Sequence, residues 1–141
     1  MPEPVRTLVL DTHVWLWLME GADELKSSVR KHIEAAVPDG ALRVSVISVW
    51  EIAMLEAKNR ITFDEDCNIW IKNALTAPGF SLALFTPDVA VASTRLPGDF
   101  HGDPADRIIV ATTRSVGGTL VTADRAILAY AKSGHLRALP A

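Results

Sequence analysis

Residues 103–127, DPADRIIVATTRSVGGTLVTADRAI, read as a helix over Pro104–Ser115, a turn at Gly117-Gly118, a strand over Thr119–Val121 and a helix starting at Arg125. Asp103 occupies the N-cap position, proline follows at the first helical position, and a second acid, Asp106, sits in the first turn. The glycine pair ends the helix, and the apolar run after it closes on Asp124. Helix, turn, apolar strand and helix in this order form the repeating unit of an α/β sheet.

The same grammar extends outward in both directions. A strand near Arg6–Leu10 closes on Asp11, with helices over Thr12–Met19 and Asp23–Ala36 behind it. Pro38-Asp39-Gly40 turns the chain into a strand at Leu42–Ile47, followed by helices over Val49–Asn59 and Asp64–Thr76. Ser81–Phe85 is a strand, Pro87–Thr94 a short helix and Asp99–Gly102 a loop. Beyond the quoted stretch come a helix to Lys132 and a last strand at Leu136–Leu139. Strands that are continuous Val, Leu and Ile runs indicate a parallel sheet covered by helices on both faces.

Composition narrows the class. At 141 residues the chain reads as one domain, 1–141, with a substantial core, and no repeat or linker divides it. Its apolar stretches are too short to span a bilayer. MPEPVRTLVLD reaches an aspartate before a signal-peptide core forms, so a cytoplasmic location is expected. Cys67 is the only cysteine, which excludes an internal disulfide and a cysteine metal cluster; it reads as a half-buried helix residue. A net charge of −3 argues against broad electrostatic binding of nucleic acid. A nuclease remains open, because metal would neutralise several acids and Arg43, Lys58, Arg60, Arg107, Arg114 and Arg125 offer a local basic rim.

Four acids end or follow apolar runs: Asp11, Glu51, Asp106 and Asp124. In a parallel α/β sheet the carboxyl ends of the strands share one edge, where ligands bind. Each acid also has a structural explanation. Ser48-Val49-Trp50-Glu51 fits a capping box, Asp103 fits an N-cap, and Asp11 and Asp124 stand where helices begin. Taken together, the four would be brought to one edge, where like charges raise one another's pKa unless a cation bridges them. An oxygen-only cluster suits a hard divalent ion, Mg²⁺ with Mn²⁺ as substitute. Asp103 is assigned to the cap, and Asp106 is left to point into the crevice.

The segments LVLDTHVWLW, SVWEIAML, LPGDFHGDPADRIIVATT and LVTADRAI, in that order, resemble a PIN domain and, within it, a VapC-type ribonuclease toxin. The resemblance covers essentially the whole chain and is carried most specifically by HxDPxDR followed by LVTxD after a glycine turn. Ala105 departs from the pattern, where relatives often have phenylalanine. The resemblance implies a five-stranded parallel sheet between helices, Mg²⁺-dependent endoribonuclease activity and neutralisation by a VapB-type antitoxin. It implies Asp11, Glu51, Asp106 and Asp124 as the catalytic acids. Asp11 and Asp106 are expected to hold the metal directly, with Glu51 and Asp124 ordering its waters or serving a second ion.

Around them, Thr12 and Thr122 are candidates to orient carboxylates, and Arg107 either pairs with an acid or meets a phosphate. His13 and His101 lie near the acids without HxH or HExxH spacing. The helix Val14–Met19 is apolar all round, and Trp15, Trp17 and Leu18 are expected to line a groove for an antitoxin segment in a homodimer. A phosphatase would need DxDxT after the first strand, and a receiver would need an acidic pair there; neither is present. The remaining alternative is a non-catalytic PIN-fold subunit that acts through antitoxin binding and transcriptional autoregulation. RNA and an antitoxin are the expected partners.

Overall fold

The computed structural model describes residues 6–141. In chain order the elements are β1 (Leu8–Leu10), α1 (Thr12–Glu20), α2 (Ser27–Ala35), β2 (Leu42–Ser45), α3 (Val46–Ala57), α4 (Cys67–Leu75), β3 (Phe80–Ala83), α5 (Pro87–Ser93), α6 (Pro104–Ser115), β4 (Thr119–Thr122), α7 (Arg125–Ala131) and β5 (Ala138–Pro140). The five strands form one sheet of order β3-β2-β1-β4-β5, and every pairing is parallel.

Alternation along the strands sends side chains to two separate cores. Leu8, Leu10, Leu42, Val44 and Val121 face one side, with Val14 and Trp15 of α1, Val29 and Ile33 of α2, and Ala74 of α4. Val9 and Leu120 face the other, with Val89 of α5, Ile109 and Val110 of α6, and Ile127 and Tyr130 of α7. Burial on both faces explains the unbroken apolar run of the central strand β1, all three residues of which are buried. Among the described residues no helix is long and apolar enough to cross a membrane.

The order of the strands positions the site. From β1 the chain steps to β2 and β3 on one side, then returns across the sheet to place β4 on the other side of β1. A crevice opens beyond the strand ends where the direction reverses. Asp11 leaves β1 and Asp124 follows β4, so both stand at that reversal.

Two boundaries differ from the sequence reading in ways that matter. The expected strand Leu42–Ile47 stops at Ser45, whose hydroxyl accepts from the Ile47 amide at 3.2 Å and caps α3. Val46 and Ile47 are β-branched and read as strand, but the cap turns the chain into helix before them. The helix expected from Asp23 begins only at Ser27. Gly21, at φ 64°, ends α1 in the left-handed region. Arg30 then bonds the Leu18 and Ala22 carbonyls, holding residues 21–26 as a turn.

Candidate active site

Asp11, Glu51, Asp106 and Asp124 line one pocket of about 330 Å³, with Thr12, His13, Trp17, Asp103 and Ala123. Its acids come from the end of β1, the interior of α3, the first turn of α6 and the end of β4. A larger hollow of about 540 Å³, lined by Asp88, Arg95 and Arg114 among others, has no such convergence of acids.

Two threonines hold two of the carboxylates. Asp11 Oδ2 accepts from the Thr122 hydroxyl at 2.6 Å, and its Oδ1 accepts from the Thr12 amide at 2.9 Å. The Thr12 hydroxyl lies 2.6 Å from Glu51 Oε1 and 2.9 Å from Ser48 Oγ. A hydroxyl has one proton, so Thr12 gives it to the carboxylate and Ser48 acts as its donor. Thr12, Ser48 and Thr122 are all buried, which keeps water from competing for these bonds. Asp124 Oδ1 caps α7 through the Ile127 amide at 3.0 Å, and its own amide donates to the Thr122 hydroxyl.

The capping-box reading of Ser48 and Glu51 is corrected by this geometry. Ser45 is the cap, so Ser48 and Glu51 lie inside α3. Ser48 is a buried support for Thr12 instead. Glu51 therefore has no helix end to serve, and its charge faces the pocket.

Asp103 and Asp106 divide as their spacing implies. Asp103 Oδ1 accepts from the Asp106 amide at 2.8 Å, the N-cap bond of α6. Among the described residues the Asp106 carboxylate accepts no hydrogen bond, and it lines the pocket. Asparagine also caps well, so Asp103→Asn is expected to keep the fold and much of any activity. Asp103→Ala is expected to lower stability by about 1 kcal/mol. Thermal melts beside an activity assay check both, and a dead Asp103→Asn protein would reverse the two roles.

The electrostatics single out Asp106. Burial raises its pKa first, the charges of Asp103, Asp11, Asp124 and Glu51 raise it further, and it is pushed up to about 7. Burial likewise raises Asp11, opposed by the bonds from Thr122 and Thr12. Glu51 is raised by burial, opposed by Thr12 and reinforced by Asp11 and Asp103. Such a group of oxygen donors is stabilised by a cation. Among the described residues no three Asp, Glu, His or Cys side chains stand close enough to enclose an ion. Mg²⁺ does not need such a cage: it keeps several waters and binds through one or two carboxylates. The donor set fits it.

Three other expectations change. Among the described residues Arg107 pairs with no acid; its guanidinium bonds the Ser93 and Phe100 carbonyls. It ties the loop before α6 to the end of α5, and beside it Gly102 leaves no room for a Cβ against the Phe100 ring. Trp15 is fully buried against Trp70 of α4, ring centroids 5.3 Å apart, so it is core and not partner surface. The cover was missed because Trp70 lies 55 residues further along the chain. Trp17 and Leu18 are partly buried, and Trp17 lines the acidic pocket. Of the supposed basic rim, Lys58 and Arg60 line a hollow adjoining the acids, whereas Arg43 and Arg114 bond backbone carbonyls elsewhere. Burial raises the Cys67 thiol, which disfavours a nucleophile.

Residues 8–133 match the PIN domain family. The chain is 35% identical over 124 residues to "Ribonuclease VapC22" of Mycobacterium tuberculosis (strain ATCC 25618 / H37Rv), covering 88% of this chain and 92% of that protein. Its fold is similar to a chain of the DNA-bound VapBC structure from Salmonella typhimurium, with TM-score 0.70 and 13% identity over 96% and 98% of the two chains. A chain of VapBC2 from Rickettsia felis bound to a promoter DNA fragment gives 0.69 and 14% over 95% and 98%.

Proposed function

The chain belongs to the PIN domain family, and from that premise we propose how it works: as a VapC-type ribonuclease toxin of a VapBC toxin–antitoxin module, it cleaves RNA with a hydrated Mg²⁺ ion held by Asp11 and Asp106. When bound, the ion polarises the scissile phosphate and lowers the pKa of the attacking water. Asp11, oriented by Thr122 and by the Thr12 amide, keeps lone pairs on both oxygens for a cation. Asp106, with no hydrogen-bond donor among the described residues, offers an uncommitted carboxylate in the same pocket. Glu51, aimed by Thr12, and Asp124, fixed at the start of α7, would order waters around such an ion or serve a second one. Thr12 and Thr122 are positioning residues.

The observation that carries this reading is Glu51. It lies within a helix where no cap requires an acid, and it shares a pocket with Asp11, Asp106 and Asp124. A non-catalytic subunit would have no use for that arrangement. Cleavage of RNA is expected with Mg²⁺ or Mn²⁺ and is expected to fall sharply with Ca²⁺, which prefers looser and higher coordination. Full cleavage in excess chelator would sink the metal mechanism.

The natural restraint on such a toxin is a VapB-type antitoxin. Two solved structures similar in fold are VapBC complexes bound to DNA, which supports a toxin–antitoxin assembly that regulates its own promoter. Trp17 and Leu18 on α1 remain the residues proposed to meet the antitoxin, in a homodimer of the toxin.

A further inference from the structure

A second hollow, of about 300 Å³, continues from the acidic pocket and shares His13 and Glu51 with it. Its floor is a single face of α3. Trp50, Met54 and Lys58 recur at intervals of four, with Leu55 beside them, so all lie along one stripe of the helix. Trp50 is 54% exposed, an unusual state for the largest apolar side chain. Arg60 is brought back to this face by the end of α3. Asn59 takes φ 56°, and the Arg60 amide then bonds the Leu55 carbonyl at 2.9 Å. The hollow thus runs from carboxylates, past an open indole, to two exposed cations.

Resting on the ribonuclease reading, we propose that this hollow is a nucleotide subsite: Trp50 stacks on an unpaired base next to the scissile phosphate, and Lys58 and Arg60 hold the following phosphate. The charge pattern fits that occupant. The acids receive one phosphate through a cation, and its neighbour on the same strand needs positive charge, which this end of α3 supplies. Glu51 and Lys58 are seven residues apart, about 10 Å along the helix, a distance that a nucleotide or two spans. An indole face receives a base only when that base is unstacked, so the subsite selects single-stranded or looped RNA over duplex. An acidic chain thereby holds RNA through one short cationic stripe without being basic overall.

The test uses the full chain, a fluorescent oligouridylate and the same strand annealed to its complement, in Ca²⁺ buffer, with probe integrity checked on a gel. Trp50→Ala is expected to fold, to weaken single-strand binding about tenfold and to leave the weak duplex binding unchanged. Trp50→Phe should restore most of the loss. Lys58→Ala and Arg60→Ala should each reduce the salt slope of log K, by about 0.7 when the two are combined. Unchanged single-strand affinity in Trp50→Ala, or unchanged salt slopes in both cation variants, overturns the subsite. If Trp50→Ala instead dissociates a dimer or loses antitoxin while binding RNA normally, the face belongs to a protein partner and the proposal is wrong. A parent protein that neither binds nor cleaves RNA overturns the nuclease reading itself, and the subsite with it.

Discussion

Asp106→Asn is expected to abolish RNA cleavage while making the metal-free protein more stable than its parent. The variant keeps the shape of the side chain and removes a charge that burial and four neighbouring acids oppose. The folded-state pKa of about 7 lies above the ordinary aspartate value. Between roughly pH 4 and 7 the folded parent therefore binds more protons than the unfolded chain, and this group's contribution to stability falls as pH rises. The variant and parent should melt alike near pH 4 and diverge through pH 7, with no further gap above it. Asp106 is only half buried, so solvent screening limits the gain to about 1–2 kcal/mol. Mg²⁺ should raise the melting temperature of the parent through binding linkage and leave the variant almost unmoved. A variant that is less stable than its parent at pH 8 without metal would show that Asp106 has a structural role instead.

Trp15→Ala and Trp17→Ala, two residues apart on one helix, are expected to fail in different ways. Trp15 is fully buried and packs on Trp70, which in turn stacks on Phe63 with ring centroids 4.5 Å apart. Emptying that volume should cost about 3–5 kcal/mol, a large share of a domain's stability. Trp15 Nε1 has no hydrogen-bond partner among the described residues, so Trp15→Phe loses packing without losing a bond and should recover much of the stability. Trp17→Ala should melt close to the parent and show its effect in weaker antitoxin binding. Chemical denaturation and a toxin–antitoxin titration separate the two. Equal stability losses at both positions would mean that α1 presents no partner surface.

The sequence was most legible where one chemical signal had one structural meaning. Asp-Pro-Ala-Asp gave α6 its boundaries because cap, proline and first-turn acid agree, and the helix runs Pro104–Ser115 as read. The apolar strands β1 and β4 ended where Asp11 and Asp124 required. Legibility failed where local patterns were ambiguous or distant residues decided the outcome. Val-Ser-Val-Ile-Ser-Val-Trp offers two serines as caps, and the fold uses Ser45, not Ser48. That choice turns Glu51 from a capping residue into a pocket acid. Arg107 has two acids near it in sequence, yet it bonds the Ser93 and Phe100 carbonyls, which no local pattern announces. Trp15 belongs to the core and not to a partner groove because Trp70 of α4, distant in sequence, covers it.

Binding of Mn²⁺, followed by electron paramagnetic resonance on the parent and on Asp106→Asn, bears most directly on the four-acid site. The parent is expected to take up Mn²⁺ saturably, with Mg²⁺ displacing it, and Asp106→Asn is expected to lose that uptake while remaining folded. Uptake by Asp106→Asn equal to that of the parent would contradict a cation held between Asp11 and Asp106.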